Sequence, residues 1–423
     1  MEAIHTPLAA AQSLTQVAQS NLSTPEGSYI LSLCPSGPDA LAAISSDNSL
    51  RVFDKRTLRL LPGVLYQNIH PAKSAKDESG PTDLCEYADG SSGLLVTSGR
   101  DGLVKVWDRR KGSVPAMVLK SGDKLPPLGA VACSPQTNLI AAGTDLAMRA
   151  ASINFWDIRS PANMAMSYTE SHNDDITVLQ FSPFNPRLLL SGSTDTLVNI
   201  YDTTQKDEEE ALKQVINHGS VHRAGFLSNN AAYVLSHDEQ FAIHPLNAYV
   251  RGEATTVEQG EKVAEEPSPV DFKDVRDQLR CNYVAQVIRS NENVYIASGM
   301  LEQKRFDLMP VVKEPRWRFD ESAVVRLPGA HGEEVVREVL LDESSRSLYT
   351  CGEDGFVRVW QMPDTAPEEP KVADTKMEED NEDENEAEDE VKETKKRKKH
   401  SKEKHGLGKE KRKKKKEHRY KPY

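Results

Sequence analysis

The sequence predicts an all-β fold, a seven-bladed β-propeller followed by a disordered tail that is first acidic and then basic. Three observations predict it. Three stretches, SGRDGLVKVWD (Ser98 to Asp108), SGSTDTLVNIYD (Ser191 to Asp202) and CGEDGFVRVW (Cys351 to Trp360), share one internal spacing. In each, an Asp lies six residues before an aromatic: Asp101 to Trp107, Asp195 to Tyr201, Asp354 to Trp360. A hydroxyl residue stands four before each Asp (Thr97, Ser191, Thr350), and in two copies a His stands 23 before it (His172, His331). The aspartates ending successive copies, Asp54, Asp108, Asp157 and Asp202, are separated by 54, 49 and 45 residues. Periods of about 40–45 residues that close on Trp-Asp mark propeller blades, each a four-stranded antiparallel sheet.

The elements follow in chain order. Residues 1–27 form an N-terminal segment whose strand, from about Ser13 to Ser20, joins the last blade and closes the ring. Closure of that kind removes two exposed sheet edges. The propeller spans residues 28–363. Its first blade is LAAISSDNSLRVFD (Leu41 to Asp54), with Asp47 six before Phe53 and Ala43 in place of the hydroxyl. The second contains Thr97, Asp101 and Trp107. Its His would be His70, 31 residues before Asp101, which requires an insertion. The third, NLIAAGTDLAMRAASINFWD (Asn138 to Asp157), keeps Phe-Trp-Asp after a longer turn, and the fourth contains His172 to Asp202. AAYVLSHDEQFAIHPL (Ala231 to Leu246) reads as two strands without Trp-Asp. NVYIASGMLEQKRFDLM (Asn293 to Met309) is weaker still. Residues 251–280 read as a charged inter-blade loop, in which VDFKDVRDQL (Val270 to Leu279) adds an edge strand or binds along the rim. An eighth blade would need strands hidden there; seven is the expectation.

The repeat resembles the WD-repeat family. That resemblance implies a hydrogen-bonded set inside each blade: His172, Ser191, Asp195 and Tyr201 in one, His331, Thr350, Asp354 and Trp360 in another, and Thr97, Asp101 and Trp107 in a third. A His–Asp pair also suggests catalysis, but this spacing belongs to the repeat, so the scaffold reading outweighs it. Beyond the repeat, ESHNDDITVLQFSPFNPRLLLSGSTDTLVNIYDTTQKDEEEAL (Glu170 to Leu212) and the DFKDVR stretch are similar to the WD repeat-containing protein 89 family. This resemblance implies a non-enzymatic propeller and names no ligand.

Composition bounds the rest. No apolar run approaches the length of a membrane span, and the first 20 residues show no secretory signal. The five cysteines (Cys34, Cys85, Cys133, Cys281, Cys351) are scattered without a CxxC, which argues for reduced thiols and against zinc. There is no GxxxxGK[ST], GxSxG or HExxH, and GLGK (Gly406 to Lys409) in the tail is a chance match. His218 and His222 are four apart but stand at the start of a strand, where a helical metal face does not form. The chain is therefore expected to be neither an enzyme nor a cofactor binder.

Glu378 to Glu393 holds eleven acidic residues and one Lys, within an acidic linker at 364–394. Lys395 to Tyr423 holds sixteen Lys or Arg against three Glu, a net of +13. Residues 1–394 are left with 37 basic and 62 acidic side chains, or −25, so the overall −12 combines two opposite objects. Like-charge blocks resist folding and act as interaction tails. Two runs read as nuclear import signals, Lys395, Lys396, Arg397, Lys398 and Lys399, and Lys411, Arg412, Lys413, Lys414, Lys415 and Lys416. The same charge density contacts RNA phosphates without reading sequence.

The expectation is a scaffold that binds other proteins on the propeller rim, does not meet a membrane, and resides in the nucleus or nucleolus with a cytoplasmic pool. Its tail resembles in composition that of nucleolar ribosome-assembly proteins and is expected to touch RNA or ribonucleoprotein. The alternative is a substrate receptor of a cullin-RING ubiquitin ligase. Three consecutive blades end in aromatic-Asp-x-Arg, at Phe53 to Arg56, Trp107 to Arg110 and Trp156 to Arg159. This resembles the signature by which some WD-repeat proteins dock onto the ligase adaptor, and implies contacts at Arg56, Arg110 and Arg159. The competing reading of each Arg is a cap on its own loop. An aromatic cage for modified peptides is not specified by any motif.

Overall fold

The structure, a computed structural model, describes residues 10, 12–72, 79–88, 93–122, 125–147, 149–252, 268–290 and 293–361. The expected acidic linker and basic tail lie outside these residues.

Strands β1 (Gln12–Ser13) and β2 (Thr15–Ser20) precede blade one, which is β3 (Ile30–Pro35), β4 (Ala40–Ser45), β5 (Ser49–Asp54) and β6 (Leu60–Gln67). Blade two is β7 (Pro81–Tyr87), β8 (Leu94–Gly99), β9 (Val104–Asp108) and β10 (Met117–Leu119). Blade three is β11 (Leu128–Ser134), β12 (Leu139–Thr144), β13 (Ile153–Asp157) and β14 (Met166–Tyr168). Blade four is β15 (Ile176–Phe181), β16 (Leu188–Ser193), β17 (Leu197–Asp202) and β18 (Leu212–Asn217). Blade five is β19 (Val221–Ser228), β20 (Ala231–Ser236), β21 (Gln240–Pro245) and β22 (Val270–Asp274). Blade six is β23 (Tyr283–Arg289), β24 (Val294–Met300), β25 (Arg305–Lys313) and β27 (Val325–Pro328), with β26 (Trp317–Phe319) folded back on β25. Blade seven is β28 (Val336–Asp342), β29 (Ser347–Gly352) and β30 (Val357–Gln361), and β2 is its fourth strand.

Sequence pattern follows position in the blade. The second strands are buried on both faces and read as unbroken small or apolar runs: ALAAIS in β4, LLLSGS in β16, SLYTCG in β29. The outermost strands are half in water, and β6 alternates along Val64 to Gln67. First strands pack on one another in turn around the ring, so they line its centre.

The core is divided among the blade interfaces. One buried apolar cluster joins each neighbouring pair, for example Ile44, Leu50 and Tyr66 with Leu84, Leu95 and Trp107 between blades one and two. The last such cluster sets Tyr349, Cys351 and Val357 of blade seven against Ile30, Leu41 and Phe53 of blade one. A blade thus buries its faces only against its neighbours, which is why the repeat must close on itself. Closure comes from the N-terminus: β2 pairs antiparallel with β30 from Thr15↔Gln361 to Ser20↔Val357. β1 runs parallel to β27, a pairing that was not expected.

One boundary needs correction. The stretch 251–280 is not an inter-blade loop. Val270–Asp274 is the outer strand of blade five, paired with β21, so the connection runs between the third and fourth strands of one blade. Residues 253–267 of it lie outside the described residues. No helix among the described residues is long and apolar enough to cross a membrane.

Candidate interaction surfaces

The His–Asp pairs sit inside blades, at the end where fourth strands hand over to first strands and second strands turn into third. His70 Nδ1 lies 2.7 Å from Asp101 Oδ1 and its Nε2 lies 2.8 Å from Thr97 Oγ1, while Trp107 Nε1 donates to the same hydroxyl at 3.0 Å. The bonds have one consistent direction: Trp107 donates to Thr97, Thr97 to Nε2, and Nδ1–H to Asp101. The insertion that separates His70 from blade two is pinched shut where Gly80 N–H donates to His70 O at 2.8 Å. His331 repeats the arrangement with Asp354 at 2.7 Å, Thr350 at 2.8 Å and Trp360 Nε1 on Thr350 at 3.0 Å. His172 meets Asp195 at 2.9 Å and Ser191 at 2.7 Å. Tyr201 has no indole N–H, and Asn199 Nδ2 donates to its hydroxyl at 3.1 Å. Glycine follows the hydroxyl strand for a reason: a Cβ at Gly99 would fall inside the His70 ring.

The three histidines are buried. His70 is fully buried and Asp101 nearly so. Burial pushes the His70 and His331 imidazoles below the ordinary value. Burial alone would raise the Asp101 and Asp354 carboxyls, but the bonds from His70 and Lys105, or from His331 and Arg358, hold them below it. A lowered folded-state pKa means that the folded state binds fewer protons, so both shifts favour the fold at higher pH. Below about pH 6.5 these pairs should therefore lower the melting temperature, more steeply near pH 4, while Glu338 and Glu239, whose carboxyls burial pushes up to about 7, oppose part of that loss. Thermal melts from about pH 7 to about pH 4 check this; a melting temperature higher at about pH 4 than at about pH 7 would contradict it.

Other blades use different chemistry in the same place. In blade one, Arg51 binds Asp47 through Nη2 at 2.7 Å and Nη1 at 3.0 Å. In blade six, Asp307 takes two arginines: Arg326 donates Nε to Oδ1 at 2.8 Å and Nη2 to Oδ2 at 2.9 Å, and Arg305 Nη1 donates to Oδ2. Sequence reasoning missed this set; its signal was Arg305 and Asp307, two apart on one face of a strand. In blade five, His218 Nε2 bonds the Gln240 carbonyl at 2.9 Å, and His222 stacks on His237 with centroids 5.2 Å apart. Among the described residues, no group of three or more His, Cys, Asp or Glu could hold a metal.

Around the centre, side chains of first strands stitch blade to blade. Asp83 Oδ2 accepts from Val131 N–H at 2.9 Å, Gln180 Oε1 from Phe226 N–H at 2.8 Å, and Gln286 Oε1 from Val339 N–H at 3.1 Å. Nearby, the Arg223 guanidinium approaches Glu338 at 3.9 Å, and burial pushes the Glu338 carboxyl up to about 7.

The three motif arginines occupy the opposite end of blades one to three, just past the third strands. Arg110 closes a fork on Asp108, Nε to Oδ1 at 2.9 Å and Nη2 to Oδ2 at 3.1 Å. Arg159 does the same on Asp157, at 2.9 and 2.5 Å. Arg56 donates its backbone N–H to Asp54 at 3.1 Å. The side chains of Arg110 and Arg159 are 69% and 67% exposed, so each fork presents its outer edge to solvent. Arg276 forks onto Asp274 in the same way, so the geometry is not confined to the motif arginines. The two lysine-rich runs, Lys395 to Lys399 and Lys411 to Lys416, lie outside the described residues.

A closed ring of seven blades, three of them tied internally by His, Ser or Thr, Asp and an aromatic, defines a WD-repeat β-propeller. The sequence matches the WD domain, G-beta repeat family at residues 76–108, 165–202 and 323–361. The chain belongs to the WD repeat-containing proteins: it is 34% identical to the uncharacterized WD repeat-containing protein YNL035C of Saccharomyces cerevisiae over 336 residues, 79% of this chain and 78% of that one. It is also similar to the WD repeat-containing protein 89 homolog of Dictyostelium discoideum, 23% identical over 78% of this chain and 82% of that one. Among solved structures, a chain of the Crystal Structure of Mitotic Checkpoint Complex matches with a TM-score of 0.58 at 16% identity, covering 83% of this chain and 96% of that one, which shows the fold alone.

Proposed function

We propose that this protein is a non-enzymatic scaffold that binds other proteins on its propeller rim in the nucleus or nucleolus, in ribosome assembly, while the basic tail serves import and contacts RNA. The observation that carries the reading is the join between an acidic propeller and a segment of net +13. The interior supports it from the other side. The three His–Asp pairs are bonded within their blades and all three histidines are buried, which suits a structural role. Rigid blades and variable turns suit protein recognition. Deleting Lys395 to Tyr423 is expected to move a fluorescently tagged protein from nucleus to cytoplasm. Unchanged nuclear signal would reject the assignment.

A second reading, a ubiquitin-ligase substrate receptor, is favoured by the exposure of Arg110 and Arg159 on neighbouring blades. The paired Asp holds each guanidinium in place, and its outer N–H groups can still meet a carboxylate or carbonyl on an adaptor. The double change Arg110→Glu and Arg159→Glu should abolish co-purification of the adaptor while leaving the melting temperature within a few degrees. Retained binding ends this reading.

A further inference from the structure

The five cysteines differ in exposure. Cys34, Cys281 and Cys351 are buried, whereas Cys85 and Cys133 are half-buried. Cys85 lies on β7 and Cys133 on β11, the innermost strands of blades two and three. Both side chains pack against the cluster between those two blades. Their sulfurs are 3.0 Å apart. Cys34 belongs to the neighbouring interface, between blades one and two.

We propose that Cys85 and Cys133 are a thiol-oxidation site at which a peroxide creates a disulfide between blades two and three. The bond is about 2.05 Å long, so the sulfurs must close by only about 1 Å. One sulfur, as thiolate, attacks the peroxide and becomes a sulfenic acid, releasing hydroxide. The second sulfur then attacks the first and displaces its oxygen as water. Two thiols and one peroxide give one disulfide and two waters. Each sulfur gives up one electron, the peroxide takes both, and the two thiol protons end in the waters.

The reduced pair is the resting form. Contact with Cys133, then burial, pushes the Cys85 thiol well above its ordinary value, so at neutral pH it keeps its proton. The site therefore answers to sustained oxidant rather than to traces. The two positions are 48 residues apart, and a bond between them shortens the loops open to the unfolded chain. The oxidised protein should melt at a higher temperature.

The test treats the folded, full-length protein with hydrogen peroxide, alkylates free thiols, digests it and maps the peptides by mass spectrometry. The expected product links the Cys85 and Cys133 peptides, disappears on reduction, and accompanies a raised melting temperature. Cys34→Ser should leave the link intact, and Cys133→Ser should abolish it. Recovery of Cys85 and Cys133 unlinked, whether unmodified or converted to sulfinic acid, would overturn the proposal. So would a link from either to Cys34.

Discussion

Asp307→Ala should cost about 3–5 kcal/mol, because it removes the one carboxylate shared by the buried Arg305 and the half-buried Arg326. Asp307 is 3% exposed and Arg305 7%, so little water is at hand to replace the lost partner. Arg326 loses a two-point fork at the same time. Arg305 and Asp307 lie on the third strand of blade six and Arg326 on the fourth, so the set ties the two strands together. Replacing all three residues with apolar ones of similar volume should be far milder, since no charge is then left buried. Urea unfolding of the single and triple variants separates the two cases. A loss under about 1 kcal/mol for Asp307→Ala would mean that water reaches the arginines and that the set is not a buried one.

Removing residues 1–20 is the second large effect. It strips β2 from β30, takes Leu14 out of the cluster between blades six and seven, and uncovers β27. The ladder hydrogen bonds are worth roughly 1 kcal/mol each and the leucine roughly 2, against a typical total stability of about 5–15 kcal/mol. The opened ring should therefore melt much earlier. It also exposes Val357–Gln361 as an unpaired edge, the kind of strand that recruits a second chain. Light scattering on the truncated protein should show dimers or larger species. A monomer with an unchanged melting temperature would mean that the ring does not depend on this closure.

Much of the fold was legible because the repeat writes itself locally. The Asp and the aromatic six residues later mark one hairpin, and the ring-closing strand announces itself by leaving blade seven one strand short. Blades five and six were hard to read because their chemistry is substituted. At the position of the tryptophan opposite the second strand, blade five has His244 and blade six has Met309. Blade six replaces the His–hydroxyl–Asp–Trp set with an Arg–Asp–Arg set. Val270 to Leu279 reads from sequence as adding an edge strand or binding along the rim, not as holding the missing fourth strand of blade five, because a long charged segment separates it from β21. The stitches around the centre were invisible for a different reason. Asp83 to Val131, Gln180 to Phe226 and Gln286 to Val339 join residues 46 to 53 apart, a separation that no local pattern encodes. The Cys85–Cys133 contact belongs with them.

The central claim, a propeller that holds proteins while the tail holds RNA, is tested most directly by purifying the full-length protein from nuclear extract in two halves. One half is treated with nuclease, and both are read by mass spectrometry. The account predicts two groups of partners: proteins that remain after nuclease, held by the rim, and ribosome-assembly proteins that leave with the RNA. If every partner leaves with nuclease, the propeller is not a protein scaffold and the claim fails.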